Sequence, residues 1–295
     1  MNETVKVIRK VTVVGIWINA VLVVLKLFFG YWGDSDALVA DGYHSMSDFI
    51  TDIIVIVFVA ASYKKADASH PYGHGKFETI ASVIIGAILF GVGIFIGVDG
   101  ITTLLRFYNG TPLPCPDIWA LYIAIVSILL KEFCFRYTIC YGKKLNSPAL
   151  IANAWHHRSD AISSIATLIG VSSAIFMGAQ WHVMDPIASI VIAVMICVSA
   201  VKIALPPLNE LLETSLPPET IKKIDECIRA VPGVMQVHDL RSRRNGHYCI
   251  IDVNIHIDSQ ISVREGHEIA TNVENRLEKE FGSDLIIYVH IEPQD

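Results

Sequence analysis

Residues 152–164 read ANAWHHRSDAISS, and 165–178 continue as IATLIGVSSAIFMG. The second stretch is apolar enough to enter a lipid bilayer, while the first carries two histidines, an arginine and an aspartate. Ionisable groups are costly in hydrocarbon, so inside a span they mark a pathway or a paired site. The rest of the chain supports a membrane reading. Of its 295 residues 53% are hydrophobic, too many for an ordinary soluble domain of this length. Six apolar runs are long enough to cross about 30 Å of hydrocarbon: 11–30, 38–62, 79–105, 119–137, 149–178 and 186–205.

After Leu205 the composition breaks into PPLNELLETSLPPETIKKIDE, and nothing beyond is long or apolar enough to span. The expected organisation is a six-helix transmembrane domain over 1–206 and a soluble domain over 207–295. The first run is preceded by basic residues but lacks a small-residue cleavage site, so it reads as a retained helix and not a signal peptide. Lysine and arginine gather before the first span, between the second and third, and after the fourth, whereas the opposite loops hold only Arg106. The positive-inside rule therefore expects a multi-pass protein of a cell's inner or plasma membrane with both termini cytoplasmic. Six scattered cysteines without a CxxC pair imply no disulfide framework or thiolate zinc site. A formal net charge of −6 and the lack of a basic stripe exclude nucleic acid as a partner.

The tail reads helix, strand, strand, helix, strand. Pro218 opens an amphipathic helix, Asn245-Gly246 marks a turn between strands, and Ser262-Val263-Arg264-Glu265 has capping-box spacing ahead of the second helix. Arginines beside the turn are expected to loosen the strand register. The result is a small αββαβ domain with helices on one face of a sheet.

The second span holds His44 and Asp48, and the fifth holds His156 and Asp160. In both, histidine precedes aspartate by four residues, which stacks the two side chains on one helical face. A satisfied hydrogen bond within a helix would account for a single pair. Repetition with equal spacing favours a shared shell of two imidazoles and two carboxylates, a complete tetrahedral set for zinc or a similar divalent ion. His157 is rotated about 100° away, and Arg158 is expected to snorkel towards the cytoplasm or a helix end. Asp41 and Asp52 flank the first pair as supporting groups rather than ligands.

Between the second and third spans, DASHPYGHGKFE places Asp67, His70 and His74 within eight residues. They form either a second metal site or simply the polar residues of an exposed loop. Gly75-Lys76 is no phosphate loop, because His70 stands where its first glycine belongs and Phe77 replaces the magnesium-binding hydroxyl. In the tail, His238, His247, His256, His267, His290 and Glu292 are candidates for a surface zinc site, or else solvated strand-end residues. Strand alternation puts His290 and Glu292 on one face and Asn254 and His256 likewise.

Six spans, HxxxD in the second and fifth, the loop DxxHPYGHGKxE and an αββαβ tail ending in VHIEP resemble the cation diffusion facilitator family over nearly the whole chain. The resemblance implies a homodimer in the bilayer that exports a cytoplasmic divalent cation in exchange for protons. It implies a membrane site at His44, Asp48, His156 and Asp160, a loop site at Asp67, His70 and His74, and a tail site at His238, His256, His267, His290 and Glu292. Zinc would be both cargo and regulator, with cadmium, cobalt, iron(II) and manganese as further cargoes. His44, where some relatives have aspartate, leans the site towards zinc. His256 stands in for a relatives' ligand at the position of Asn254. Two rival classes fit less well. A membrane metalloenzyme needs HExxH or a vacant ligand position, and a passive channel favours rings of oxygen ligands. The resemblance implies no enzymatic activity.

Overall fold

The computed structural model describes residues 3–294 other than 63, 65, 145–147, 247 and 283, and the side chains of all these except 3–9, 51–53, 55–57, 59–62, 148–149 and 152. Six long helices come first: α1 (Glu3–Trp32), α2 (Asp36–Ser62), α3 (Lys76–Tyr108), α4 (Ile118–Lys144), α5 (Pro148–Phe176) and α6 (Met184–Leu211). Then follow α7 (Pro218–Arg229), β1 (Gln236–Asn245), β2 (Tyr248–Asp258), α8 (Val263–Phe281) and β3 (Leu285–Gln294). Among the described residues, α1, α3, α4, α5 and α6 each contain a stretch long and apolar enough to cross a membrane. The 27-residue α2 has the length, about 40 Å at 1.5 Å per residue, but dilutes its apolar content with Asp41, His44 and Asp48. The architecture is a helical membrane domain followed by a small α/β domain.

By internal packing the chain divides into two units, residues 1–54 with 85–202 and residues 55–84 with 203–295. In the first, small residues set the helix spacing. The buried positions of α4 are Ala120, Leu121, Ile123, Ala124, Ser127, Lys131, Cys134, Thr138 and Gly142, a stripe at steps of three and four. A side chain at Gly170 of α5 would collide with Ala188 of α6. Outward faces carry exposed Trp17, Phe28, Phe95, Leu129, Ile169 and Val194, the pattern of helices solvated by lipid tails. Ser35 caps α2 by accepting from the Leu38 amide at 3.2 Å, and its hydroxyl donates to Asp185 Oδ1 of α6 at 2.8 Å.

In the second unit α6 continues through Pro206 and Pro207, past the apolar run that the sequence marks, and ends beside Glu213 at φ 57°. Each proline removes one ladder donor, a loss that a helix near its end tolerates. The tail sheet has order β1-β2-β3, with β1 and β2 antiparallel and β3 parallel to β2. Val237, Ile251, Val253, Ile255 and Ile257 point to one face and pack with Ile224 and Ile228 of α7 and Val273 and Leu277 of α8. The Ser262–Glu265 capping box forms as the spacing predicts. The register does not loosen at the arginines: pairing is continuous from Arg241–Asp252 to Asn245–Tyr248, and the irregularity falls between His238 and Arg241. Asp239 absorbs the extra residue at φ 50°, a conformation aspartate tolerates better than most. Ile255 is fully buried in this core, so Ile255→Ala should destabilise the domain by about 2–5 kcal/mol; a thermal melt of the full chain that does not move would contradict this packing.

Candidate metal centres

The membrane-embedded group is built by α2 and α5. His44 and Asp48 lie one turn apart with Nε2 to Oδ2 at 3.9 Å, and His156 Nδ1 lies 3.7 Å from Asp160 Oδ1. His44, Asp48 and Asp160 each offer a donor atom, all within 4.8 Å of one another. His156 is not in that set. Its side chain is 47% exposed, and it lies against the group at Asp160. The structure thus gathers three of the four expected ligands and hangs the fourth beside them.

The second group lies in the loop between α2 and α3. Asp67 Oδ1 accepts from the Ser69 hydroxyl at 2.7 Å and from the amides of His70 and Ser69 at 2.8 and 2.9 Å. Its Oδ2 lies 3.4 Å from His74 Nε2. The two imidazoles are 4.4 Å apart between centroids, and Asp67, His70 and His74 can share an ion. Hydrogen bonds from the Ser69 hydroxyl and the His70 amide hold the Asp67 carboxyl at about 2, well below the usual carboxylate range. The β1–β2 turn closes over this loop: Asn245 Nδ2 donates to the Tyr72 carbonyl at 3.1 Å, and Gly75 has no room for a side chain against Asn245. At the start of α3, Lys76 Nζ pairs with Glu213 Oε1 at 3.1 Å and lowers the Glu213 pKa.

The third group sits on the sheet face opposite the helices. Register places His238 opposite Asn254, Asn254 beside His290, and His256 beside Glu292. Glu292 is its hub: Oε2 lies 3.2 Å from His238 Nε2 and 3.3 Å from His256 Nε2, while Oε1 accepts from Asn254 Nδ2 at 3.0 Å. His238, His256 and Glu292 meet as a potential ligand set. His290 stays at the margin, 69% exposed and 3.7 Å from Glu292. His267 is exposed on α8 and is not brought to this group. His247 and the Asp52 side chain lie outside the described residues.

Two family models match the chain, the cation efflux transmembrane domain over residues 12–212 and the cation efflux protein cytoplasmic domain over residues 216–294. It is a cation diffusion facilitator. The chain is 35% identical to the manganese efflux system protein MneP of Bacillus subtilis, with 99% of this chain and 98% of that protein covered. It is 36% identical to the uncharacterised transporter MJ0449 of Methanocaldococcus jannaschii over 98% of this chain and 99% of that protein. Metal tolerance protein C1 of Arabidopsis thaliana is 34% identical over 97% of this chain and 62% of that protein. The chain is accordingly a multi-pass membrane transporter that carries divalent metal cations outward, and not an enzyme.

Around the embedded group this facilitator buries charges that the search for histidine–aspartate pairs overlooks. Lys131 of α4 donates to Asp160 Oδ2 at 2.6 Å, with no exposure. Lys26 of α1 reaches Asp41 Oδ2 at 2.8 Å, Ser45 Oγ at 3.1 Å and Ser164 Oγ at 3.2 Å. Ser164 also donates to Asp41 at 2.9 Å, so Asp41 is tied to α1 and α5 together. Lys26 lies inside the first predicted span, and Lys131 shares the face of Ser127 one turn away. Both could have been read from the sequence as lysines inside apolar runs. Arg158 is exposed on α5. Its guanidinium covers the Phe135 ring at 4.6 Å and the Trp155 ring at 5.4 Å, where the aromatic faces stabilise the charge. His157 is buried against Gly15 and is not one of the grouped metal donors.

The loop carboxylate yields a pH prediction. Because its pKa is depressed in the folded state, Asp67 contributes stability that is complete above the usual carboxylate range and is lost only as pH falls towards about 2. Titration of Asp67 followed by carboxyl carbon NMR should show this low midpoint, and Ser69→Ala should raise it. An unmoved midpoint in Ser69→Ala would remove the hydroxyl as its cause.

Proposed function

We propose that this transporter is a homodimeric antiporter that exports a cytoplasmic first-row divalent cation, zinc foremost, in exchange for protons, with both termini cytoplasmic. The carrying observation is the meeting of His44, Asp48 and Asp160 from two helices inside the membrane domain. Imidazole and carboxylate bind a metal only when deprotonated, so loading releases protons and protonation unloads. His156, one turn from Asp160, completes the four-donor shell when its ring turns inward. Alternating access requires the embedded group to open to one side of the membrane at a time.

The loop group of Asp67, His70 and His74 serves as a loading site, and the tail group of His238, His256 and Glu292, extended by His290 and His267, as a sensing site. In this reading residues 1–206 form the transporting domain, and 207–295 the dimerising, metal-binding one. The match of residues 216–294 to the cytoplasmic domain of cation efflux proteins supports dimerisation. Asn254 then positions Glu292 instead of ligating.

Manganese is the second reading. Likeness to a manganese efflux protein favours it, as do two carboxylates against one imidazole in the gathered donors. In liposomes with an imposed pH gradient, wild-type protein should drive uphill zinc flux that stops when the gradient is collapsed. Asp48→Ala and Asp160→Ala should each abolish it while the protein remains a folded dimer; wild-type flux in both would sink the site.

Replacing an imidazole by a carboxylate hardens the donor set. His44→Asp should therefore move the ratio of zinc to manganese transport towards manganese by about tenfold or more, or roughly 1.4 kcal/mol of discrimination. An unchanged ratio would place His44 outside the shell.

A further inference from the structure

Two lysines are fully buried in the membrane domain, and they are held in different ways. Lys26 spends its three ammonium protons on three acceptors, Asp41, Ser45 and Ser164. Lys131, among the described residues, has one acceptor, Asp160 Oδ2 at 2.6 Å. The first is fixed as part of the scaffold. The second is a cation on a flexible four-carbon stem, held by one carboxylate oxygen of a group that also includes His44 and Asp48.

We propose that Lys131 is a tethered competitor for the transported cation. In the metal-free carrier its ammonium takes Asp160, and an entering divalent ion must expel it before Asp160 can ligate. Two cations on one carboxylate repel each other, so the lysine weakens metal binding and speeds metal release. It also neutralises Asp160 when no metal is present, so the empty carrier does not hold an uncompensated charge in the membrane interior. Ser127 and Thr138 share the buried face of α4 with Lys131 and supply hydroxyls on the element that carries it. The proposal rests on the reading of Asp160 as a ligand.

Initial rates of zinc and of manganese transport in liposomes test it. Lys131→Gln keeps a hydrogen-bond donor to Asp160 and removes the charge; Lys131→Met removes both. Each should lower the apparent KM for both metals at least tenfold and lower kcat, because release slows. Lys131→Arg, which keeps the charge, should stay within about threefold of wild type in KM. A purely structural ion pair predicts the opposite, with KM unchanged or raised in the neutral variants, and that result overturns the proposal. Asp160→Asn separates the two readings: if it transports like wild type, the ligand assignment itself fails. Wild-type protein supplies a measurement that needs no folded variant. Zinc-minus-empty infrared difference spectra should contain an ammonium bending band that shifts on labelling lysine with nitrogen-15, and absence of any such band also overturns the proposal.

Discussion

The arrangement of the membrane domain depends on one constraint: a charge removed from water must meet an opposite charge or a set of hydrogen-bond donors and acceptors. Asp41, Asp48 and Asp160 are buried, and so are Lys26 and Lys131. Four helices contribute to satisfying them, since Lys26 comes from α1, Asp41, Ser45 and Asp48 from α2, Lys131 from α4, and Asp160 and Ser164 from α5. Helix packing here is as much a matter of matching these groups as of filling space. Small residues such as Ala120, Ala124 and Gly142 let α4 come close enough for its lysine to reach across.

Asp41, Asp48 and Asp160 with Lys26 and Lys131 carry a formal sum of −1, and Asp185 of α6 adds a further buried carboxylate, held by the Ser35 hydroxyl. Without Lys26 and Lys131, Asp41 and Asp160 would lose the buried ammonium groups that compensate them.

Much of this was legible in the sequence because it follows from periodicity. Apolar runs gave the long helices, HxxxD spacing gave the stacked pairs on α2 and α5, and alternation paired His290 with Glu292 on one strand and Asn254 with His256 on another. Features that depend on three-dimensional meeting were not. Nothing in the spacing of Lys131 names Asp160, 29 positions away, as its partner. The ring contacts of Arg158 were not legible either, because they are split between Trp155, three residues before it, and Phe135 on another helix. The irregularity in β1 fell at Asp239 and not among the arginines because those residues keep their ladder partners up to the turn.

The hub at Glu292 has a consequence for how the tail folds. His238 and Glu292 are 54 positions apart, and the segment between them contains two strands and a helix. A cation shared by the two would act as a reversible cross-link closing that loop. Such a closure removes about 3–4 kcal/mol of conformational entropy from the unfolded chain. Because β3 joins the sheet only after the α8 crossover, the ion would favour the last and least local pairing of the domain. The stability of the assembled sheet would then rise logarithmically with free metal once its concentration exceeds the dissociation constant. Metal supply would become a variable in the folding equilibrium of the tail as well as a cargo for the helices.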